Sequence, residues 1–541
     1  MRAPTRLLAC LALVSPLALA DDTLRWLDQE RRQRETVERD QRLRQLQRQT
    51  LPPEPTHTPG NSTSDSQCWA MTGVQLSGNQ LIDAYTLQAA ITPHLSPCMG
   101  VSAIRHVLAT ITQAYVQHGY IAARAYPTHA PADGQPLAIV IDEGFVESIE
   151  LDDPHLPVSL GGAFPSVIGH PLHLPTLEQG LDQLNRLRSV DLEVQIAPGE
   201  LDGGSRIVLT PRSHPSPWGL RMGYSNGGDI ASGRHGTSLV ISHDNPLHLN
   251  DALQLSLFRT QGNAPNLTRG LGLYYNVPYG PWTLGASLAR SQQLAFTPVH
   301  GYRGESLSAN HSVNLTRHLW RNQQALLSAT LRLNQKSQAR WFNHARQTVP
   351  DGRLTSASLD LNFLWLGRAT WSTQLGYGHS LPWLNTRARR HQQWRAAVLR
   401  TQVWPGAGYQ WRWDSSVEAQ YSPHRLPASE QWLLTSPTSV RGFRDSSIAA
   451  SSAAVWRNSV ALALPLPTGL VLTPHLAVDY GRGWDTWTTD RQHPALAAVS
   501  GGASLAWSGG EVKLDYRHAT VIKDGPPSEP GFWNMELKLD F

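Results

Sequence analysis

At 541 residues the chain exceeds one ordinary domain. Charged residues make up only 16%, while Gly (43), Pro (38) and Trp (19) are abundant. The formal net charge of +4 is too small to argue for nucleic acid. No segment beyond the N-terminus approaches the ~20 apolar residues of a transmembrane helix. A membrane role would therefore need a β-barrel, the other structure that satisfies its own backbone in lipid.

Residues 1–20 read as a signal peptide: Arg2 and Arg6 form the charged start, Leu7 to Leu19 the apolar run, and Ala18-Leu19-Ala20 the small-residue cleavage site. Its removal leaves Cys68 and Cys98. In an exported protein an isolated pair is expected to form a disulfide. The alternative, a two-cysteine metal site, has no His or Cys cluster to complete four ligands.

Residues 21–50 carry no Gly or Pro, and acid-then-base pairs recur at i,i+4 (Asp28/Arg32, Glu30/Arg34, Glu35/Arg39, Glu38/Arg42, Asp40/Arg44), an order that supports an isolated helix. Its apolar positions, Leu24, Trp26, Leu27, Val37, Leu43 and Leu46, are too sparse for a core helix. Two readings remain: a solvated tail, or a polar plug inside a water-filled barrel. Residues 51–66 form a Pro/Ser/Thr linker.

From residue 67 the pattern turns globular. Trp69 to Leu76 reads as a strand, Val101 to His118 as a helix stopped by Gly119, and Tyr120 to Tyr126 and Leu137 to Ile141 as strands. After Asp142-Glu143-Gly144 the order repeats. Phe145 to Leu151 is a strand, Thr176 with Gln179 suggests a capping box opening a helix, and Val190 to Ile196 and Ile207 to Thr210 follow as strands. The expected units are therefore 67–144 and 145–212. Neither contains a pocket constellation, a glycine-rich phosphate loop or an HExxH, so no catalytic residue, cofactor or metal is expected. Each leaves a sheet edge and a helix groove, the generic surfaces for docking a peptide.

Beyond Pro217 helical spacing disappears and period-two runs take over: Leu253/Leu255/Leu257, Ala325/Leu327/Ala329/Leu331/Leu333, Leu359/Leu361/Phe363/Trp365 and Val512/Leu514/Tyr516. Polar residues such as Gln254, Arg332, Asp360 and Asp515 lie between them. This is the lipid-out, water-in alternation of a membrane barrel. The last strand is the clearest. Trp533, Met535, Leu537, Leu539 and Phe541 share one face, and Asn534, Glu536, Lys538 and Asp540 the other. At ~20 residues per strand with its turns, residues 213–541 would hold about 16 strands. A formal GxSxG, Gly223-Tyr224-Ser225-Asn226-Gly227, lacks the strand–turn–helix context that a hydrolase elbow needs.

Within the barrel region Ser439-Val440-Arg441-Gly442-Phe443-Arg444-Asp445 stands out as an arginine, a glycine and a ring in a long loop. We expect the loop, around residues 430–455, to fold into the lumen and Arg441 to dock on a carboxylate of the wall. Leu472, Leu476, Val478 and Tyr480 share the lipid face, which points Asp479 inward.

Together these residues resemble the TpsB-type transporters of two-partner secretion (the ShlB/FhaC/CdiB-like family), in a superfamily that also holds barrel-assembly insertases. The resemblance rests on the N-terminal helix and linker, the cysteine-paired module with Gly119-Tyr120-Ile121-Ala122-Ala123-Arg124-Ala125-Tyr126, and Leu181-Asp182-Gln183-Leu184-Asn185-Arg186-Leu187 in the second module. It rests also on Asp244-Asn245-Pro246-Leu247 with Asn250-Asp251, read as the start of the barrel, and on Val440-Arg441-Gly442-Phe443. The resemblance implies a membrane β-barrel of about 16 antiparallel strands, preceded by two α+β POTRA domains and a plug helix. The sixth extracellular loop would fold inward, its Arg441 paired with the aspartate of Asp479-Tyr480-Gly481. The terminal aromatic Phe541 resembles the signal read by the outer-membrane assembly machinery. The implied partners are a large secreted TpsA-like exoprotein, held through its N-terminal secretion domain, outer-membrane lipid, and the barrel-assembly machinery during biogenesis. The function alternative is an assembly insertase of the same superfamily. The chain departs from the family pattern where Arg457-Asn458-Ser459-Val460 lacks an acid, where Phe443 replaces the common Tyr, and in the Ser/Ala-rich run Ser446 to Ala454.

Overall fold

The computed structural model describes residues 39, 68–213, 215–230, 232–262, 266–297, 301–322, 324–349, 352–384, 386, 389–484, 493–525 and 528–541. The leader, the linker and all of 21–50 except Arg39, which is helical, lie outside the described residues.

The first module packs the helices Ala84–Ile91 and Val101–Gln117 on a sheet in which Val74–Ser77 runs parallel to Leu137–Asp142 and Arg124–Pro127 antiparallel to it. Leu87, Ile91, Val107, Ile111 and Tyr115 meet Leu137, Ile139 and Ile141 in the core. The expected strand Trp69–Leu76 is broken at Met71-Thr72-Gly73 into Cys68–Ala70 and Val74–Ser77. Cys68–Ala70 pairs instead with Cys98–Gly100, and the Cys68–Cys98 disulfide, Cα atoms 5.4 Å apart, joins the two. Sequence spacing missed the helix Ala84–Ile91, which buries only Leu87 and Ile91 and is started by Asp83 accepting from Thr86 N. The expected strand from Tyr120 begins at Arg124; Tyr120 bridges to His173 of the second module.

The second module carries the sheet order Phe145–Leu151, Gly204–Ser213, Asp191–Pro198 under the helix Leu174–Asn185. That helix starts at Leu174 with Pro175 in its first turn, not at a Thr176/Gln179 box. The Thr176 hydroxyl instead pairs with His173, and the Gln179 side chain meets His318 of the barrel.

Among the described residues, sixteen antiparallel strands from Trp218–Ser225 to Phe532–Asp540 close a barrel, with Ala345–Gln347 and Arg353–Leu366 forming one interrupted strand against Ala325–Phe342. Outward residues are aliphatic and exposed, among them Leu331, Leu359, Leu375, Leu476, Val499 and Leu514, while inward residues such as Ser308, Asn310, Ser328, Thr330, Asp360 and Asp515 are buried. So continuous an apolar outer surface belongs in lipid. Exposed rings cluster at the strand ends: Trp282, Trp365, Trp404, Trp411 and Trp507 toward the side of the two N-terminal modules, and Tyr302, Phe342, Trp394, Tyr421, Trp456 and Trp533 toward the other. They form the two interfacial girdles of a transmembrane barrel.

One sequence assignment is corrected. Asp244-Asn245-Pro246-Leu247 with Asn250-Asp251 does not open the barrel, which begins at Trp218; it is the turn between the second strand, His235–Asp244, and the third, Ala252–Gln261. Its polar side chains hold the second module. Asn250 accepts from Ser159 N (2.8 Å) and donates to Ser159 O (2.7 Å), Asp244 accepts from Ser189 N (2.9 Å), and Asn245 donates to Pro157 O. Arg186 donates to Asn250 O and to Asn276, and Gln183 donates to Gly280 O. Burial pulls the Arg186 guanidinium down to about 10, a fall that neighbouring Tyr274, Asp244 and Asp251 limit, so it stays charged. Arg321, at the end of Tyr302–Arg321, is paired with Glu178 and lies 2.6 Å from Asp182, all three buried. The helix is thus fixed to three turns of the barrel floor.

Candidate functional site: a loop docked inside the barrel

The segment 422–451 links the eleventh strand, Tyr409–Tyr421, to the twelfth, Ser452–Pro465. It turns into the lumen. A two-residue hairpin, Trp432–Leu433 against Ala449–Ala450, makes its stem, with Leu434 N donating to Ile448 O (2.8 Å). The tip folds back as Val440 N donates to Leu434 O (3.0 Å) and Trp432 Nε1 donates to Ser439 Oγ (2.9 Å). On the stem's other side Glu430 is buried and receives Lys336 Nζ (2.8 Å) and Gln393 Nε2 (3.0 Å) from two wall strands.

Arg441 meets Asp479 of the thirteenth strand, Val471–Trp484. Nε donates to Oδ2 at 2.7 Å, a terminal nitrogen donates to Oδ1 at 2.6 Å, and the Arg441 backbone N donates to Oδ2 at 3.0 Å. The side chains are 13% and 2% exposed, so this fork-to-fork pair is largely out of water. Arg457, on the adjacent strand, lies 3.7 Å from the same carboxylate and donates to Thr438 O at 2.8 Å. The residue that opens the departure from the family pattern therefore serves the same carboxylate.

Glycines make the approach possible. A Cβ on Gly481 would stand 2.5 Å from Val440 Cγ2, and one on Gly483 would stand 2.9 Å from Leu434 Cδ1. Asp479, Gly481 and Gly483 share the inward face, so the strand presents one carboxylate and then bare backbone to the loop. Gly442 sits at φ 107°, a left-handed region that disfavours a side chain, and packs against Ala519. Val440 and Phe443 are buried in a cluster with Trp432, Leu434 and the wall residues Ala453, Val455, Leu496, Ala498 and Ala519. The alternation rule predicts a polar lumen; here the inner wall is small and apolar, which sequence reasoning missed. The signal was available in Ala495 to Ala506, where Leu496 and Ala498 put apolar residues on the inward parity as well as the outward one.

Beyond Phe443 the tip reaches the barrel's closing edge. Glu529, in the loop before the last strand, accepts from the backbone N of Arg444 (2.7 Å), Asp445 (3.0 Å) and Ser446. Burial would raise its carboxyl, but a hydrogen bond from the Ser446 side chain and these backbone bonds outweigh it and hold it below the usual range. Phe541 closes the other end, exchanging backbone bonds with Leu220 of the first strand (2.8 and 3.1 Å) with its ring 72% exposed on the outside. The GxSxG look-alike is the end of the first strand and the turn after it.

Residues 203–505 match the family described as haemolysin secretion/activation protein ShlB/FhaC/HecB, residues 69–144 the ShlB-type POTRA domain and residues 145–198 a POTRA domain. Curated relatives include the outer membrane transporter CdiB of Escherichia coli, 27% identical over 93% of this chain and 86% of its own. They include also the hemolysin transporter proteins HpmB of Proteus mirabilis (29%; 89% and 85%) and ShlB of Serratia marcescens (29%; 90% and 88%). Among solved structures, CdiB from Escherichia coli superposes with a TM-score of 0.85 over 98% of this chain and 100% of that one at 22% identity, which shows a shared fold.

Proposed function

The chain belongs to the haemolysin secretion/activation family ShlB/FhaC/HecB and is an outer-membrane transporter with periplasmic POTRA domains, and from that premise we propose that it exports one dedicated large exoprotein of the two-partner type. The relatives named as hemolysin transporters support a secreted haemolysin-like or toxin-like cargo. The POTRA pair captures the unfolded cargo's N-terminal secretion domain by strand addition or groove docking. The exposed edge strand Arg124–Pro127 and the rings of Tyr85 and Tyr126 on the first module support that reading.

The observation that carries the transport mechanism is the docked loop. With Arg441 clamped on Asp479 and its apolar face on the wall, the loop fills part of the channel that an unfolded chain must use. Transport then requires the loop to shift and, on the plug reading of residues 21–50, that segment to leave the lumen. Folding of the cargo outside supplies the direction, and Phe541 and the lipid-facing strands serve insertion through the assembly machinery. Deletion of this protein is expected to abolish secretion of its large exoprotein cargo; continued secretion would reject the reading. Conductance of protein lacking residues 21–50 tests the plug, since an unchanged current would exclude it.

A further inference from the structure

The barrel closes where its first strand, Trp218–Ser225, meets its last, Phe532–Asp540. Their ladder runs from Leu220 beside Phe541 to Asn226 beside Met535. Above it the strands diverge and Asn226 continues the pairing by itself. Its N donates to Met535 O (3.2 Å), its Oδ1 accepts from Met535 N (2.8 Å) and its Nδ2 donates to Trp533 O (3.2 Å). Arg444 of the inward loop lies on this junction. It donates to Asn226 O and, through Nε, to Gly228 O (3.0 Å), both just past the first strand. Its guanidinium stacks 4.7 Å from the Phe532 ring of the last strand. Its own backbone N, with those of Asp445 and Ser446, is held by Glu529, three residues before that strand. Asp445 in turn accepts from Ile230 N (2.9 Å) and Arg234 (3.2 Å) on the side of the first strand.

We infer that Arg444, Glu529 and Asn226 form a latch that joins the two edges of the barrel through the tip of the lumenal loop, so that undocking the loop and loosening the seam are one coupled event. The inference extends the gated-transporter reading above. Residues 444–446 contact both sides of the seam, and Arg441, three positions earlier, holds the same loop to the thirteenth strand. A shift that releases Arg441 drags Arg444 off the carbonyls of Asn226 and Gly228. An opened seam likewise removes the platform under Arg444. Coupling of this kind is reciprocal. Arg444 is a positioning residue: it acts by holding two edges and a loop in register. Its fork suits the role, because one guanidinium spans two carbonyls that a lysine cannot reach together.

The test is amide hydrogen exchange of the full-length protein in lipid bilayers. It follows peptides of the last strand (Phe532–Asp540) and, as internal control, of the far-side strand Ala325–Phe342. Loop undocking is read in the same samples from thiol labelling of Val440→Cys. Arg444→Ala is expected to raise both seam exchange and labelling by about tenfold or more, within the ~5- to 150-fold range of linked sites, with the control strand unchanged. Arg441→Ala is expected to raise seam exchange although Arg441 does not touch the seam. Should Arg444→Ala fail to insert, Arg444→Lys and Glu529→Gln give the same pair of readouts with smaller increases. Seam exchange at the wild-type level in both arginine variants, with labelling raised in either, would overturn the latch. Neither readout depends on cargo. A wrong transport assignment would appear separately, as secretion that persists without the protein.

Discussion

Replacing Arg441 by alanine removes two charge-assisted bonds to Asp479 and leaves the third, from the Arg441 backbone. Stripping one partner from a buried ion pair costs roughly 3–5 kcal/mol, mostly through the charge left behind. Two features lower that figure here. Arg457 already lies 3.7 Å from the orphaned carboxylate, and the Arg441 side chain keeps 13% exposure through which water can enter. The remaining cost is about 2–3 kcal/mol, equivalent to a ~30- to 150-fold fall in the docking constant. A cysteine at the fully buried Val440 reports the undocked population, because it reacts with a maleimide only when the loop leaves the wall. Arg441→Ala should speed labelling by that factor. Asp479→Asn should do so to a similar extent, and the double variant should add little. In cells, export should fall much more than the yield of folded, inserted barrel. Unchanged labelling would remove the ion pair from the docking mechanism, and equal loss of export and insertion would reduce the loop to a folding staple.

Gly481→Val should force a side chain into the space of Val440 Cγ2, 2.5 Å from the position a Cβ would take, at a cost of about 1–3 kcal/mol. Labelling at the loop tip should rise while barrel strands keep their protection, and normal labelling would mean that the wall tolerates the bulk. Arg321→Ala should leave the buried carboxyls of Glu178 and Asp182 without their shared cation, a loss of up to ~3–5 kcal/mol. The POTRA pair should then become sensitive to limited proteolysis near residue 186; unaltered cleavage would show that the remaining contacts suffice. Because the Glu529 carboxyl is held below its ordinary range, its contribution is present above the unfolded-state titration and is lost as pH falls through the lower, folded-state value. Acid should therefore loosen the loop tip, and Glu529→Gln should abolish that acid step. A step that persists in the variant would assign it to another carboxylate.

Much of the architecture was legible because membrane barrels obey a strict period. A residue of known parity on one strand fixes its neighbours, which is why Asp479 could be pointed inward from Leu476, Val478 and Tyr480 alone. Parity gives direction but not what faces the residue. The apolar inner wall at Ala453, Val455, Leu496 and Ala498 broke the expected alternation because it packs against a loop, a partner that no local pattern announces. The same limit applies on the POTRA side. Leu181-Asp182-Gln183-Leu184-Asn185-Arg186-Leu187 reads as an amphipathic helix with a polar face that ought to be solvated. That face is buried instead, because Arg321, Asn250, Asn276 and Gly280 of the barrel floor lie opposite it. The helix Ala84–Ile91 escaped notice for a simpler reason: two buried residues in eight make too weak a stripe to read.

The site divides its labour between charge and shape. Val440, Phe443, Leu434 and Trp432 are all buried against the wall, and full burial of such side chains is worth ~1.5–3 kcal/mol each. Their sum exceeds what the ion pair contributes, so apolar packing holds the loop in, and Arg441 with Asp479 decides where it sits. A nonpolar surface alone would let the loop slide along the Ala- and Gly-rich wall; a bidentate pair that also fixes a backbone amide permits one register. That register is what brings Arg444, three residues on, over Asn226 and Gly228. Loss of the ion pair should therefore disturb the far end of the loop together with its docking, and an Arg441→Lys variant, which keeps the charge without the fork, should raise far-end disturbance and loop labelling in step, each by less than Arg441→Ala does. Lysine behaving as wild type at both positions would mean that charge suffices and that the planar geometry carries no information.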